Sequence, residues 1–404
     1  MSFSDWKEVR LGDVIIFNPR ESISKNQVAK KIAMEKLKPY TKFINNFELA
    51  EFKGGTKFKN GDTLLARITP CLENGKTSQV TILENNEVGF GSTEYIVLRE
   101  KVSVTDKNFI YYLSISSKFR DIAIQSMVGS SGRQRVQQGV LENTDILIPP
   151  LPEQKAISKT LSSLDDKIEL NNRINKTLEE MSQAIFKSWF VDFDPFQDGE
   201  FEESELGRIP KGWKVDNLDN IAEFLNGLAM QKYRPDTDAF LPVIKIKELN
   251  QEITDGNSDK ASCDILKKYV INNGDVIFSW SGTLVVKIWT GGKGGLNQHL
   301  FKVSSQKYEK WFYYLWTCYH LEKFKAIAQD KATTMGHIKR GHLTESKVII
   351  PTDGELQMMN LTMNPIISQM IQVKVQTQTL TTIRDTLLPK LMSGEVRVPI
   401  EEVS

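Results

Sequence analysis

Cysteine is scarce: Cys71, Cys263 and Cys318 are the only three in 404 residues, and they form no CxxC or Cys/His ligand spacing. That excludes a disulfide framework and a zinc site written into the sequence, and a reducing, cytoplasmic setting is expected. Long apolar runs are missing too. No stretch reaches about 18 apolar residues, and the opening MSFSDWKEVRLGD carries no signal-peptide core, so no membrane span is expected. The four histidines, His299, His320, His337 and His342, follow no metal pattern, and no metal is expected.

Catalytic signatures are equally sparse. Gly291-Gly292-Lys293-Gly294-Gly295 lacks the Walker Ser/Thr and its spacing, which leaves a turn. Asp194-Pro195-Phe196 lacks the second proline of an amino-methyltransferase motif, and no glycine-rich strand end is present to hold a nucleoside cofactor. Pro235-Asp236 is not followed by Asp/Glu-x-Lys, as a nuclease would require. The chain is therefore expected to be no enzyme and to bind no cofactor of its own. A net charge of +1 argues against a protein that merely coats nucleic acid. The charge is uneven, however: Asp192 to Glu205 holds seven acidic residues and no basic one, so the rest of the chain has 52 basic against 44 acidic residues. An acidic linker is expected there.

What is present is a duplication. The stripe Ile157, Leu161, Leu164, Ile168, Asn171, Asn175, Leu178, Met181, Ile185, Trp189 has steps of three and four, and so has Met359, Met363, Ile366, Met370, Val373, Thr377, Leu380, Ile383, Leu387, Leu391, each 202 residues after its counterpart. Such steps put each stripe on one helix face. One stripe would suit an ordinary core helix; two matched ones predict long spacer helices of on the order of 55 Å that pack together. Asn171 and Asn175 place amides in the seam, where they weaken packing and penalise wrong registers. Pro365, standing where Ser163 does in the first copy, predicts a kink or a late helix start. Met359, Met363 and Met370, beside Ile157 and Leu161, suggest apolar surface left over for partner helices.

The segments before the helices repeat as well. Trp6 and Leu11 are matched by Trp213 and Leu218, Asn60-Gly61-Asp62 by Asn273-Gly274-Asp275, and GSTEYIVL (Gly91 to Leu98) by GLNQHLFK (Gly295 to Lys302) as a strand. Tyr111 and Tyr313, Leu141 and Leu343, and Pro149 and Pro351 keep the spacing of 202. The expected fold is α+β: two homologous α/β domains (1–150 and 213–352), each handing over to a long helix (151–191 and 353–393), with an acidic linker (192–212) and a tail (394–404). Chain order requires helices packed side by side to run antiparallel, as a coiled-coil spacer, with a pseudo-two-fold axis that inverts one domain relative to the other. Such an object suits an extended, nearly symmetric polymer, with duplex DNA the prime candidate.

Framework positions match, whereas the intervening loops differ, and loops on a shared scaffold are where specificity resides. Candidate DNA contacts are Lys53, Lys57, Arg67, Lys76, Arg133, Gln134, Arg135 and Gln138 in the first domain. In the second they are Lys245, Lys247, Lys287, Lys293, His337, Lys339 and Arg340. Arg and Lys suit guanine O6 and N7 or phosphate, and Gln suits adenine. The loops GRQRVQQGVL and GHIKRGHL stand out, because both cluster donors in what should be the same structural place. Two other classes stay open. A self-contained methyltransferase or nuclease would reveal itself by consuming S-adenosylmethionine unaided; a non-DNA adaptor would bind without regard to DNA sequence or salt.

IPPLPEQKAI (Ile148 to Ile157), LDDKIELNNRINKTLEEM (Leu164 to Met181), FKSWFVDFDPF (Phe186 to Phe196), GRIPKGW (Gly207 to Trp213) and LLPKLMSGEVRV (Leu387 to Val398) closely resemble the specificity subunit of type I restriction-modification systems, over the whole chain. PTDGELQM (Pro351 to Met358) departs from the family's PPLPEQKA pattern. The resemblance implies a non-catalytic subunit whose two target-recognition domains each read half of a split, asymmetric site in double-stranded DNA, with the helices as a ruler. It further implies docking of two modification subunits, which methylate adenine with S-adenosylmethionine, and two restriction subunits, which use ATP and Mg²⁺. None of these cofactors is expected on this chain.

Overall fold

The computed structural model describes residues 5–330 and 336–399. The chain divides into two compact units, residues 1–169 with 380–404, and residues 170–379. Each holds one copy of the α+β domain together with segments of both long helices.

The two domains are built alike, strand for strand. In the first unit Lys7–Arg10 pairs antiparallel with Asp145–Ile148, and in the second Lys214–Asn217 pairs with Lys347–Ile350. Leu11 N donates to Thr144 O (2.9 Å), and Leu218 N to Ser346 O (2.8 Å). One four-stranded sheet runs Ile15–Phe17, Tyr95–Glu100, Thr63–Ala66, Thr77–Gln79; its counterpart runs Glu223–Asn226, Leu300–Ser304, Val276–Ser279, Val285–Ile288. A second sheet orders Glu48–Glu51, Val28–Ile32, Gly89–Gly91, Thr56–Phe58, matched by Lys260–Ala261, Leu241–Ile244, Gly294–Leu296, Val270–Ile271. Thr63–Ala66 and Val276–Ser279 are buried throughout, as inner strands should be. The Asn-Gly-Asp turns before them need glycine, since Gly61 and Gly274 sit at φ +92° and +90°. Asp62 accepts from Lys59 N (2.7 Å) and pairs with Arg99 (2.6 Å); Asp275 accepts from Asn272 N (2.8 Å) and pairs with Lys302 (2.7 Å).

GSTEYIVL and its partner are not single strands. Gly89–Gly91 and Tyr95–Glu100 lie in different sheets, as do Gly294–Leu296 and Leu300–Ser304. The turn between each pair carries the chain from one sheet to the other.

The long helices are Leu151–Phe190 and Asp353–Ser393, of 40 and 41 residues. Pro152 stands in the first turn, where its missing N–H has no partner to lose. Pro365 does not delay the second helix, which starts at Asp353 and runs through it. Both Pro365 and Leu361, whose carbonyl loses its helical donor, are exposed, so water can serve that oxygen.

Within each unit the helix segments run antiparallel. In the first, Glu153 accepts from Arg397, and Asp165 pairs with Arg384 (2.7 Å) while accepting from Tyr112 OH (2.6 Å). Ile157, Leu161 and Leu391 share its core with Leu387 at the margin. In the second, Asn171 Nδ2 donates to Gln376 Oε1 (2.9 Å), and Asn175, with its amide turned to satisfy both ends, donates to Met370 O (3.0 Å). Trp6 Nε1 donates to Glu153 (3.1 Å) and Trp213 Nε1 to Glu355 (2.8 Å), so each entry strand is tied to the start of its own repeat's helix. Phe186 and Phe190 bury against Trp316, with ring centroids 5.0 and 5.5 Å away. The aromatic motif that ends the first helix is thus core of the second domain's unit.

Several expectations change. Met181 (46% exposed) and Ile383 (41%) face outward, and buried Ser182 and Arg384 take the interior places. The straight 3.6-residue helix drifts from a fixed stripe, and polar partners are available inside. Leu164, Ile168, Leu178, Ile185, Ile366, Leu380 and Leu387 are half-buried, while Met370 and Val373 are buried. Met359, Met363 and Met370 are not spare surface: all three are core of the second unit. The acidic linker is folded, with a turn at Asp194–Phe196 and a hairpin of Phe201–Ser204 and Gly207–Pro210. Two of its acids form ion pairs, Glu200 with Lys211 inside the linker (2.5 Å) and Glu205 with Lys347 on the second domain's last strand (2.9 Å).

Candidate nucleic-acid interface

The inner strand of each domain continues into a segment against which a later loop folds back. Val136 N donates to Arg67 O (2.8 Å) and Thr69 N to Gln134 O (3.0 Å), with Ile68 and Arg135 bridged. The second domain repeats the contact: Ile338 N donates to Trp280 O (3.1 Å), and Ser281 and His337 are bridged. The loops singled out in the sequence therefore occupy one structural place, and each meets a strand end that carries side chains of its own.

The chemistry at that place differs. In the first domain, Arg135 grips Glu94 through Nε (3.0 Å) and Nη2 (2.7 Å), and Arg135 Nη1 donates to Arg133 O (3.3 Å). Arg67 Nη2 donates to Val136 O (3.2 Å). Hydrogen bonds from Arg135, with the charge of nearby Arg67, hold the Glu94 carboxyl below the usual carboxylate range. Arg133 is exposed and makes no ion pair among the described residues. Gln138 accepts from Asn18 (2.7 Å) and donates to Glu142 (2.8 Å).

In the second domain, the Trp280 ring lies 6.0 Å from His299 and 6.4 Å from His337. Trp280 Nε1 donates to Asn226 (3.1 Å), and Ser281 Oγ lies 3.1 Å from His299 Nδ1. Lys339 and Arg340 follow on the exposed rim, with Arg340 donating to Phe224 O (3.1 Å). An aromatic, amide-bearing platform stands where the first domain has a guanidinium–carboxylate pair.

The remaining candidates lie elsewhere. Lys57 donates to Glu21 O (3.0 Å) and Lys76 to Met34 O (3.0 Å). Lys53 is exposed beside Glu51 (3.6 Å), Lys245 pairs with Asp259, and Lys247 with Asp255 (3.7 Å). Lys293 is exposed. Lys287 has a structural partner: with Lys374 it grips Glu252, at 2.9 and 3.2 Å. Burial works to raise the Glu252 carboxyl, and the two lysines outweigh it, leaving it low.

Glu94, Trp280, His299 and Asn226 were missed. Residue type alone hid them, since a carboxylate repels phosphate and a tryptophan reads as core. Their signal was positional: Trp280 directly follows its strand as Arg67 follows the matched one, and Gln298-His299 follow Glu94-Tyr95 by 204 residues.

Two homologous modules with different donor sets at one place define a duplicated recognition scaffold. Residues 3–180 and 210–382 match the type I restriction modification DNA specificity domain, and the chain belongs to that family as a specificity subunit with two target-recognition domains. It is 30% identical to the specificity subunit of the type I restriction enzyme MjaIX of Methanocaldococcus jannaschii over 300 residues, covering 72% of this chain and 69% of that one. Against the HindI specificity subunit of Haemophilus influenzae it is 24% identical, over 97% of this chain and 100% of the relative. The crystal structure of the type I restriction-modification S subunit from M. genitalium shares the fold, with a TM-score of 0.60 at 15% identity over 97% of both chains. No described helix is long and apolar enough to cross a membrane, and the described residues hold no metal-binding cluster.

Proposed function

We propose that this subunit reads a split, asymmetric site in double-stranded DNA, one half through each domain, and directs both methylation and restriction to it. The observation that carries the reading is the pair of homologous loop-on-strand platforms, Arg67 with Arg133 to Arg135 and Trp280 with His337, which share backbone hydrogen bonds and differ in side chains. Equal framework with unequal donors is what two different half-sites require. The helices set the unread spacer and dock modification subunits, two by the logic of the repeat, and restriction subunits complete the complex in cytoplasm. S-adenosylmethionine, ATP and Mg²⁺ belong to those partners.

The test is to express the chain with its modification subunit and map methylated adenines across a genome. A split motif that vanishes on deletion of this chain supports the reading. Methylation without a motif, or a motif indifferent to the chain, ends it.

A further inference from the structure

Among the candidate contacts, Arg135 is held in an unusual way. A guanidinium carries five N–H donors. Glu94 takes Nε–H and one on Nη2, and Arg133 O takes one on Nη1. Two remain, one on each terminal nitrogen, as many as a bidentate acceptor takes up. The side chain is 42% exposed, so its outer edge is reachable. Gln134 and Arg135 are both pinned through the backbone, to Thr69 and Val128, so the loop cannot drift from the strand end.

The carboxylate also decides between two partners. Attraction to phosphate is driven by charge, and Glu94 cancels the charge of Arg135 at short range. Reading a base edge depends instead on where the donors point, which Glu94 fixes. Exposed Arg133, with no such partner among the described residues, is the better phosphate anchor. The homologous place in the second domain holds Trp280 and His337, with no guanidinium–carboxylate pair there among the described residues.

Resting on the function proposed above, we infer that Arg135 reads a guanine in the half-site of the first domain, with Glu94 as its positioning residue. The experiment maps methylated motifs for the whole complex carrying the wild-type chain, Arg135→Ala, Arg135→Lys or Glu94→Ala. Expected is a guanine in the first domain's half that Arg135→Ala relaxes to other bases, with a roughly 10- to 100-fold loss of preference at that position alone. Arg135→Lys should relax the same position partially, and Glu94→Ala should blur it by freeing the arginine. If Arg135→Ala fails to fold, Arg135→Lys decides: an unchanged motif overturns the inference. A first half without guanine, or uniformly lower methylation with the motif intact, overturns it while leaving the specificity reading standing. A wild-type complex with no split motif removes both.

Discussion

At the scale of the residue, partners matter more than type. His320 stands in the core of the second unit, Nε2 donating to Lys347 O (2.8 Å), and burial pushes its imidazole down to about 4. Between about 6.5 and about 4 the unfolded chain takes up a proton that the folded one refuses. The stability His320 contributes is therefore complete above about 6.5 and is lost as pH falls toward about 4, on the order of 3 kcal/mol at most. Denaturant melts at stepped pH should show the second unit losing stability through this window. His320→Gln, which keeps a donor and cannot be charged, should flatten that slope; an unchanged slope would assign it to carboxylates instead. Neither the burial nor the carbonyl partner was legible in a sequence with four scattered histidines. Lys287 makes the same point, since as a basic residue in a polar stretch it looked like a DNA contact, and Glu252 turns it into a clasp.

At the scale of the element, the two long helices were the most legible feature, because a matched stripe of twenty positions survives local error. Their seam was less so. Ile383 faces out at 41% exposure and Arg384 faces in, paired with Asp165 at 2.7 Å. A buried ion pair can occupy a seam only when both partners face it, and that pairing joins residues 219 apart in sequence. Pro365 offered two outcomes, a kink or a late start, and the late start is the one that does not occur. The helix continues through it because its surroundings hold both flanking turns, Met363 and Ile367 being buried on one side. The proline still removes one helical hydrogen bond and crowds Leu361 O. Pro365→Ala should accordingly stabilise the second unit by about 1–3 kcal/mol, read as a higher denaturation midpoint. A lower midpoint would mean that restricting the unfolded chain outweighs the lost bond.

At the scale of the whole molecule, duplication is the governing fact. Tryptophan-to-glutamate ties, Asn-Gly-Asp turns and loop-on-strand contacts occur twice, whereas the side chains at the strand ends do not. Exchanging residues 213–352 for the second domain of a relative with another target should therefore alter one half of the methylated motif and leave the other half intact. Alteration of both halves would show that the domains do not read independently. On the proposed reading, in which local basic loops and not overall charge meet the phosphates, the affinity of the complex for DNA should fall steeply with salt despite a net charge of only +1. A binding constant flat between low and moderate salt would count against these loops.

The sequence by itself determined the repeat, the α+β class, the two helices and the loops most worth watching, because each of these is a local pattern or a pattern copied at a constant interval. The tertiary structure alone decided which apolar residues are core and which strand end each loop meets. It also decided which charges are already spent: Glu94 on Arg135, Glu252 on Lys287 and Lys374, Asp165 on Arg384. The physical reason is range. Hydrogen-bond and apolar periodicities act over three or four neighbours, but the field at a side chain comes from whatever the fold brings within a few ångströms, and here those groups lie from 35 to 219 residues away.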